Sequence, residues 1–592
     1  MFTNQIHRLL IAPNGKSSRW QMIFWFSLSM AVSIIYGFLA LQKAFSAEYV
    51  MQDDARQHVF WMLRFVDENL FPNDLIADYF QSVAPLGYSS LYHSLANLGV
   101  HPLLFNKILP SILGLLTTGY CFGVCLQILP IPIAGFMATV MLNQNLWMKD
   151  DLASGTARGF VYFLFLAFLY YLLRKSLLPC LVTIVLLGIF YPQCVFISVG
   201  ILILRICDWQ TGNFRLSRQR HNYIFCVVGT GVAFSVMLIY ALKSSDFAPV
   251  ITVAQAKQLP ELLSGGRSAF FFDNPFIHYL GDTRGGIFSP WLFSPITLCF
   301  AFFLPRLWQF RAKYPLLGQL TEEIVILPQI LIISMGMFII AHVLLFRLYL
   351  PSRYIGYSFR IVLALSSAIV LTTILDTVLS NNFFRGRVNP LPRKFFALSF
   401  TALLAISLLF YYPVFIKKFP KPTYVTGGFP QLYQFFQKQP KDTLIASLDR
   451  EVDNLPTFSQ RSILAGREYA IPWHFGYYSK FRQRTRDLIQ AEYSPNLADV
   501  KNMMQKYGVN FWLLRNDTFT PDYIKKNKWL KQYLVSKLKE DELVKLTNNI
   551  FQDLQKGSVP ALSKMIPNCT AIGVQNYVVL DAKCIANIDE NS

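Results

Sequence analysis

Long apolar runs separated by short polar segments occupy most of this chain. They fall at 20–42, 104–129, 131–148, 160–173, 177–190, 193–206, 222–242, 291–304, 324–346, 355–379 and 395–415. A helix needs about 20 apolar residues to cross the hydrocarbon core, fewer where it is bent or buried among neighbours. The pattern therefore predicts a polytopic α-helical membrane protein of about eleven transmembrane helices, with a polar region at 417–592 after the last of them. The run at 177–206 reads either as one tilted helix or as two short helices broken at Tyr191-Pro192-Gln193. Pro192 favours the break, because it lacks a backbone donor and clashes with the preceding turn.

Basic residues set the orientation. Arg8, Lys16 and Arg19 precede the first run, which keeps 1–19 cytoplasmic and sends 43–100 outside. That run is too long for a usual signal-peptide core, so it reads as an uncleaved anchor despite the small-x-small pattern Ala44-Phe45-Ser46. With the break at Pro192, three basic groups all fall on the cytoplasmic side: Arg205, Arg215, Arg218 and Arg220; Arg306, Arg311 and Lys313; and Arg385, Arg387, Arg393 and Lys394. Without it the first group would face outward. The odd count places the C-terminal region outside the cell membrane, giving a membrane part at 20–416 with outer loops at 43–100 and 243–290.

Composition agrees with a life in lipid. The 592 residues are 53% hydrophobic and 15% charged, with a mean hydropathy of +0.37, against roughly 25% charged residues in a soluble domain. The net charge of +20 does not point to nucleic acid, because the basic residues are dispersed between apolar runs; anionic membrane lipids are the simpler partner. Of nine cysteines, Cys121, Cys125, Cys180, Cys194, Cys207, Cys226 and Cys299 lie in or beside apolar runs without paired metal-site spacing and read as packing residues. Cys569 and Cys584 lie in the polar region, where an oxidising compartment leaves a disulfide between them open.

The outer side carries four polar elements, at 43–100, 149–159, 243–290 and 347–354, whereas the cytoplasmic loops are short and basic. A site is expected among the outer loops. In the first, Ala55, Val59, Met62, Leu63 and Val66 recur at helical spacing, which predicts an amphipathic helix lying in the membrane interface. Asp53 and Asp54 stand at its start. One reading makes Asp53 the helix cap and Asp54 a complement to the helix dipole; the other makes a carboxylate at the membrane surface a general base toward an acceptor hydroxyl. The two are compatible.

Asp53-Asp54-x-Arg56 after a first span resembles the acidic motif of the GT-C superfamily of integral-membrane glycosyltransferases, which includes protein mannosyltransferases and bacterial lipid A aminoarabinose transferases. Asp150-Asp151-Leu152-Ala153-Ser154-Gly155-Thr156-Ala157-Arg158 is similar to that family's loop before the fourth span. Tyr191-Pro192-Gln193 resembles its polar break, with Gln193 where many relatives carry a lysine. Pro351-Ser352-Arg353-Tyr354 is similar to its Arg-Tyr element, without the proline that often follows. The resemblance implies a sugar donor on a polyprenyl phosphate or diphosphate and transfer, usually with inversion, to a lipid, glycan or protein acceptor at the outer leaflet. It also implies a carboxylate to take the acceptor's proton and cations to stabilise the departing phosphate. Asp53 is the first choice for the base and Asp54 the second. Arg353, then Arg158, would hold the donor phosphate, with Arg56 positioning. Each arginine taken alone also reads as an interfacial anchor.

His58, one helical turn after Asp54, Gln193 and His342 are candidate acceptor or positioning residues. No cofactor is certain; Asp53, Asp54, Asp150 and Asp151 would supply oxygen ligands to a divalent cation if their loops converge. The long loop contains Ser264-Gly265-Gly266-Arg267 and Gly281-Asp282-Thr283-Arg284-Gly285-Gly286 around Phe270-Phe271-Phe272, read as an ordinary partly buried loop with aromatics that can dock at the interface. In the C-terminal region 443–448, 462–465 and 509–514 read as strands and 482–492 and 496–507 as helices ended by Gly508, which predicts a small extracytoplasmic α/β domain. There, Trp473, His474, Tyr477 and Tyr478 read as core or as sugar contacts. A lipid-linked oligosaccharide polymerase, ligase or transporter, or a non-enzymatic membrane scaffold, shares this hydropathy.

Overall fold

The structure, a computed structural model, describes residues 7–8, 10–11, 18–208, 215–242, 246–288, 291–380, 390–410 and 419–588, backbone only at 390–394. Lys16, Arg385, Arg387, the side chains of Arg393 and Lys394, and the boundary residues Lys243, Pro290 and Lys417 lie outside the described residues.

Among the described residues five helices are long and apolar enough to cross a membrane: Arg19–Ala44, Pro102–Ile128, Arg220–Leu242, Glu322–Val343 and Arg353–Leu379. Shorter apolar helices run over Ala157–Leu173, Leu177–Phe190, Gln193–Leu204, Ile296–Gln309 and Phe395–Leu409. Pro132–Leu146 is a further helix, buried along its whole length; Arg19–Ala44, Pro102–Ile128 and Ser358–Leu379 pack around it. Ile34, Ile35 and Phe38 on the first helix stay exposed, which suits contact with lipid tails as apolar as they are. The run at 177–206 is two helices with Tyr191 and Pro192 between them. The run at 291–304 is displaced: 291–295 is irregular, and a 3-10 helix, Ile296–Phe303, leads into Leu304–Gln309. Pro295 has no N–H to continue a helix backwards, so it stands at the start.

The two ends of the bundle bring together different segments. At one end the Thr321 hydroxyl donates to the Gln127 carbonyl at 2.6 Å, Arg205 pairs with Glu323 at 2.7 Å, and His7 pairs with Asp376 at 2.7 Å. The charge pattern assigns all of these to one side. At the other end the segments after 44, 148, 190, 242 and 343 meet.

The first of those segments departs from the expected interfacial helix. Only Asp53–His58 is α-helical, followed by a 3-10 helix, Phe60–Phe65. Of the predicted apolar stripe, Ala55, Val59, Met62 and Leu63 are buried and Val66 alone is exposed, so no continuous apolar face is left to lie on lipid. The reason is β1 (Val50–Gln52): it delivers the helix under the C-terminal region, which covers what would be its polar side. Nor does Asp53 cap the helix. Gln52 is the cap, its side chain accepting from Ala55 N–H at 3.1 Å, and Asp53 is the first helical residue.

A second short pair, β2 (Cys207–Asp208) with β3 (Arg215–Leu216), lies at the opposite end of the bundle. The C-terminal region begins with β4 (Tyr424–Thr426), antiparallel to β1 with Val50 opposite Thr426. Then come β5 (Leu444–Ala446), β6 (Ser462–Ile463), β7 (Phe511–Arg515), β8 (Thr570–Val574) and β9 (Tyr577–Asp581), which form one sheet in the order β6-β5-β7-β9-β8. β5 is parallel to β6 and β7, while β9 is antiparallel to β7 and β8. Helices Phe475–Tyr493 and Leu497–Tyr507 pack beside it, the latter ending at Gly508 with φ +72°, the left-handed conformation glycine adopts freely. Cys569 and Cys584 are disulfide-bonded.

Candidate functional site

Segments from the loops at one end of the bundle and from the C-terminal region enclose a cavity of 420 Å³, within the usual range for small-ligand sites of about 300–1,000 Å³. Asp54, His58, Arg158, Gln193 and Arg353 all line it, together with Gln57, Arg267, Arg284, Tyr349, Trp473 and His474. These residues lie far apart in sequence, and each comes from the end of a helix or from a loop predicted on the same side. A more open groove of 650 Å³ between Asn73, Asp78, Phe247, Lys480 and Arg484 holds none of them.

Each chemical group is held by a local device. β1 and its pairing with β4 fix the entry of the Asp53–His58 helix, and Gln52 Nε2 donates to Asp150 Oδ1 at 2.9 Å while capping it. Asp54 thereby faces the cavity and is ion-paired with Arg158. Arg158 follows a turn at Gly155 (φ +58°), whose missing Cβ leaves room for Asn106, with Nδ2 2.7 Å from where it would sit. Asn106 Nδ2 donates to the Ser154 and Gly155 carbonyls, and the Tyr88 and Tyr92 hydroxyls donate to the latter at 3.2 Å. This buried network fixes the loop that aims Arg158. Arg284 is set by Asp282, whose carboxylate accepts from the Arg284 and Gly285 N–H groups at 3.1 and 2.6 Å. His342 Nε2 bonds the Gly285 carbonyl at 2.9 Å, and Ser352 holds the Thr283 carbonyl at 2.9 Å. His342 therefore does not line the cavity but holds the turn that places Arg284 there. Phe270 is buried with Ile251, Leu262, Phe346 and Trp473, not docked in an interface.

Asp53 and Arg56 lie behind the wall. Arg56, 2% exposed, pairs with Asp53 and donates to Asn454 Oδ1 at 2.6 Å. Asp150 accepts from Thr423 N–H at 2.7 Å and from its hydroxyl at 3.0 Å. Asp151 lies within 3.6 to 3.7 Å of Lys149, Arg158 and Arg360. Burial would raise its carboxyl, but those cations, with Arg353, outweigh burial and hold it well below the usual carboxylate range. Burial, then the charge of Arg360, pushes the Lys149 ammonium down to about 7.

The cavity is therefore strongly cationic. It presents four guanidiniums against one carboxylate among the described residues. Arg353 makes no close ion pair with a carboxylate among them, Asp151 acting on it only at longer range, and its buried Nε makes no hydrogen bond there. Among the described residues the Arg284 guanidinium donates only to carbonyls, those of Ala269 at 3.2 Å and Arg267 at 3.5 Å. Burial, reinforced by Arg267 and Arg353, pushes it down to about 10; like charges held together in a cavity suit an anion. His58 adds no further charge at neutral pH, since burial, only partly opposed by Asp54, lowers it to about 4. Gln193, which lines this space, has a buried Oε1 without a hydrogen-bond partner among the described residues. A divalent cation does not fit the side chains. Asp54, Asp53, Asp150 and Asp151 are each engaged by donors of the protein, and among the described residues no three His, Cys, Asp or Glu side chains converge.

Arg267 and Arg284 are the residues that sequence reasoning missed as site groups. Their signal was an arginine directly beside paired glycines, at Gly265-Gly266-Arg267 and Arg284-Gly285-Gly286.

No protein-family model and no curated protein matches the chain. Solved structures do. The apo oligosaccharyltransferase of Archaeoglobus fulgidus is 11% identical, with a TM-score of 0.51 over 85% of this chain and 72% of that one. ArnT of Cupriavidus metallidurans bound to undecaprenyl phosphate is 13% identical over 95% of this chain and 99% of its own, with a TM-score of 0.36. The mycobacterial arabinofuranosyltransferase AftD is 12% identical over 83% and 35%, with a TM-score of 0.46. The likeness to the archaeal oligosaccharyltransferase shows that this chain shares the fold of that protein.

Proposed function

We propose that this protein is a glycosyltransferase that moves a sugar from a polyprenyl-phosphate-linked donor to an acceptor at the outer face of its membrane. The observation that carries the proposal is the cavity in which, among the described residues, a single carboxylate, Asp54, stands among four guanidiniums at one end of an apolar helix bundle. That pairing meets the two demands of the reaction. As the acceptor hydroxyl oxygen bonds to the anomeric carbon, its proton passes to Asp54, and the bond from that carbon to the phosphate oxygen breaks. The electron pair stays on the phosphate, where guanidiniums stabilise it. Arg353, without a close carboxylate partner, is the first phosphate ligand, followed by Arg158, Arg284 and Arg267. Asp53 becomes the second choice for the base, because Arg56 engages it behind the wall. Arg56 keeps its positioning role, and His58 and Gln193 are left to orient the acceptor or the sugar.

The topology belongs to the same proposal: eleven spans, 1–19 cytoplasmic, a membrane part at 20–416, and 417–592 extracytoplasmic. The basic residues at the opposite end of the bundle support it. So does the Cys569–Cys584 bond, which favours an oxidising compartment for the C-terminal region.

The test is chemical. Purified protein in lipid nanodiscs, given polyprenyl-phosphate sugars and an envelope extract as acceptor, should release free polyprenyl phosphate and transfer the sugar. Because this reading gives the phosphate charge to the arginines of the cavity, that release should survive excess EDTA with a loss smaller than about twofold, where a metal-activated mechanism would lose orders of magnitude. No release with any donor overturns the function, and release that EDTA abolishes overturns the assignment of phosphate stabilisation to the arginines.

A further inference from the structure

We propose that Glu468, in the C-terminal region, is a positioning residue for the transfer site and makes that region part of the site's wall. The inference rests on the reading of the cavity as the donor-phosphate site. Glu468 lies in a 3-10 turn, Arg467–Tyr469, and its side chain is 12% exposed. Its carboxylate accepts from Arg267 Nη2 at 2.5 Å and from Gln57 Nε2 at 2.7 Å. Both partners line the cavity. They come from different segments: Gln57 from the helix that carries Asp54, and Arg267 from the long loop. One carboxylate thus joins three segments of chain directly behind the cavity.

The surroundings fix Glu468 in turn. Its backbone N–H donates to Asp453 Oδ1 at 3.1 Å, Arg467 lies 3.8 Å away, and Arg56 is held next door by Asn454 and Asp53. Burial opposes its charge, but Arg267, Arg56 and Arg467 outweigh burial and keep it ionised. Asp453 is pushed the other way, by burial and then by the charge of Glu468. Arg267 follows Gly265 at φ +89° and Gly266, whose missing Cβ would lie 2.3 Å from the Glu261 carbonyl oxygen. The turn therefore sets where the Arg267 backbone is, and Glu468 sets where its guanidinium points.

This predicts coupling that packing alone would not give. Glu468→Gln keeps an acceptor for Gln57 but removes the charge that orients Arg267. It should weaken binding of undecaprenyl phosphate and raise the donor KM by about tenfold, with kcat changed less than about threefold, because the interaction acts on binding of the phosphate. Arg267→Gln should do the same. The double variant should be no worse than the more affected single one, since groups that act as one unit are non-additive. Glu468→Asp retains the charge but withdraws it by one methylene, and should raise the donor KM by a smaller factor at an unchanged thermal midpoint. That variant carries the test if Glu468→Gln does not fold. Additive losses in the double variant, or an unchanged donor KM in Glu468→Asp, overturn the positioning role while leaving the transfer function standing. Failure of the wild-type protein to bind undecaprenyl phosphate overturns both.

Discussion

Asp54→Asn should lower transfer at least about a hundredfold, the low end of what a general base contributes, while expression, membrane insertion and binding of polyprenyl phosphate persist. Asparagine can still accept from Arg158, so the geometry at the cavity mouth is kept and only the capacity to take a proton is lost. The ion pair is partly exposed, with 32% of the Asp54 side chain accessible, so the stability cost is held to about 1 kcal/mol or less. Asp53→Asn is the control. It leaves the buried Arg56 its acceptor but removes the negative charge that compensates it, and should disturb stability more than the chemical step. If Asp53→Asn loses transfer and Asp54→Asn retains it, the base has been assigned to the wrong carboxylate. If both retain it, neither is the base.

The second large effect is expected at Arg353. Arg353→Gln removes the guanidinium that lacks a close carboxylate partner and should cost roughly a hundredfold to a thousandfold in kcat/KM, the scale of losing one preorganised donor to developing negative charge. Arg353→Lys should recover only part of this, because an ammonium cannot make the bidentate contact. The same change at Arg205, which pairs with Glu323 at the opposite end of the bundle, should leave transfer unaffected. Wild-type kinetics in Arg353→Gln would show that the donor phosphate is held elsewhere.

The parts of this account that were legible in the sequence are those set by local physics. Hydrophobic runs located the helices, including the break at Pro192, because a proline and a short apolar run need no distant partner to be read. The alternation of spans put the loops that carry Asp54, Arg158, Gln193 and Arg353 at one end, while the family resemblance singled these residues out within them. What could not be read was set by partners hundreds of residues away. Asp53 and Asp54 are adjacent and chemically alike, and only the contacts of Arg56 with Asn454 and of Asp54 with Arg158 decide which faces the cavity. The expected interfacial helix failed for the same reason, since its polar face is covered by the C-terminal region. Arg267 and Arg284 sit in glycine turns with no helical register to show where they point, and the role of Glu468 exists only once three segments have come together.

The most direct test of the central claim is an experimental structure of the wild-type protein with undecaprenyl phosphate bound. The account predicts the phosphate in the cavity beside Asp54, in contact with the Arg353 guanidinium and at least one of Arg158, Arg284 and Arg267, with the lipid chain leaving toward the membrane. A phosphate bound in the open groove near Lys480 and Arg484, or at the opposite end of the bundle near Arg205, with the cavity empty, would contradict it.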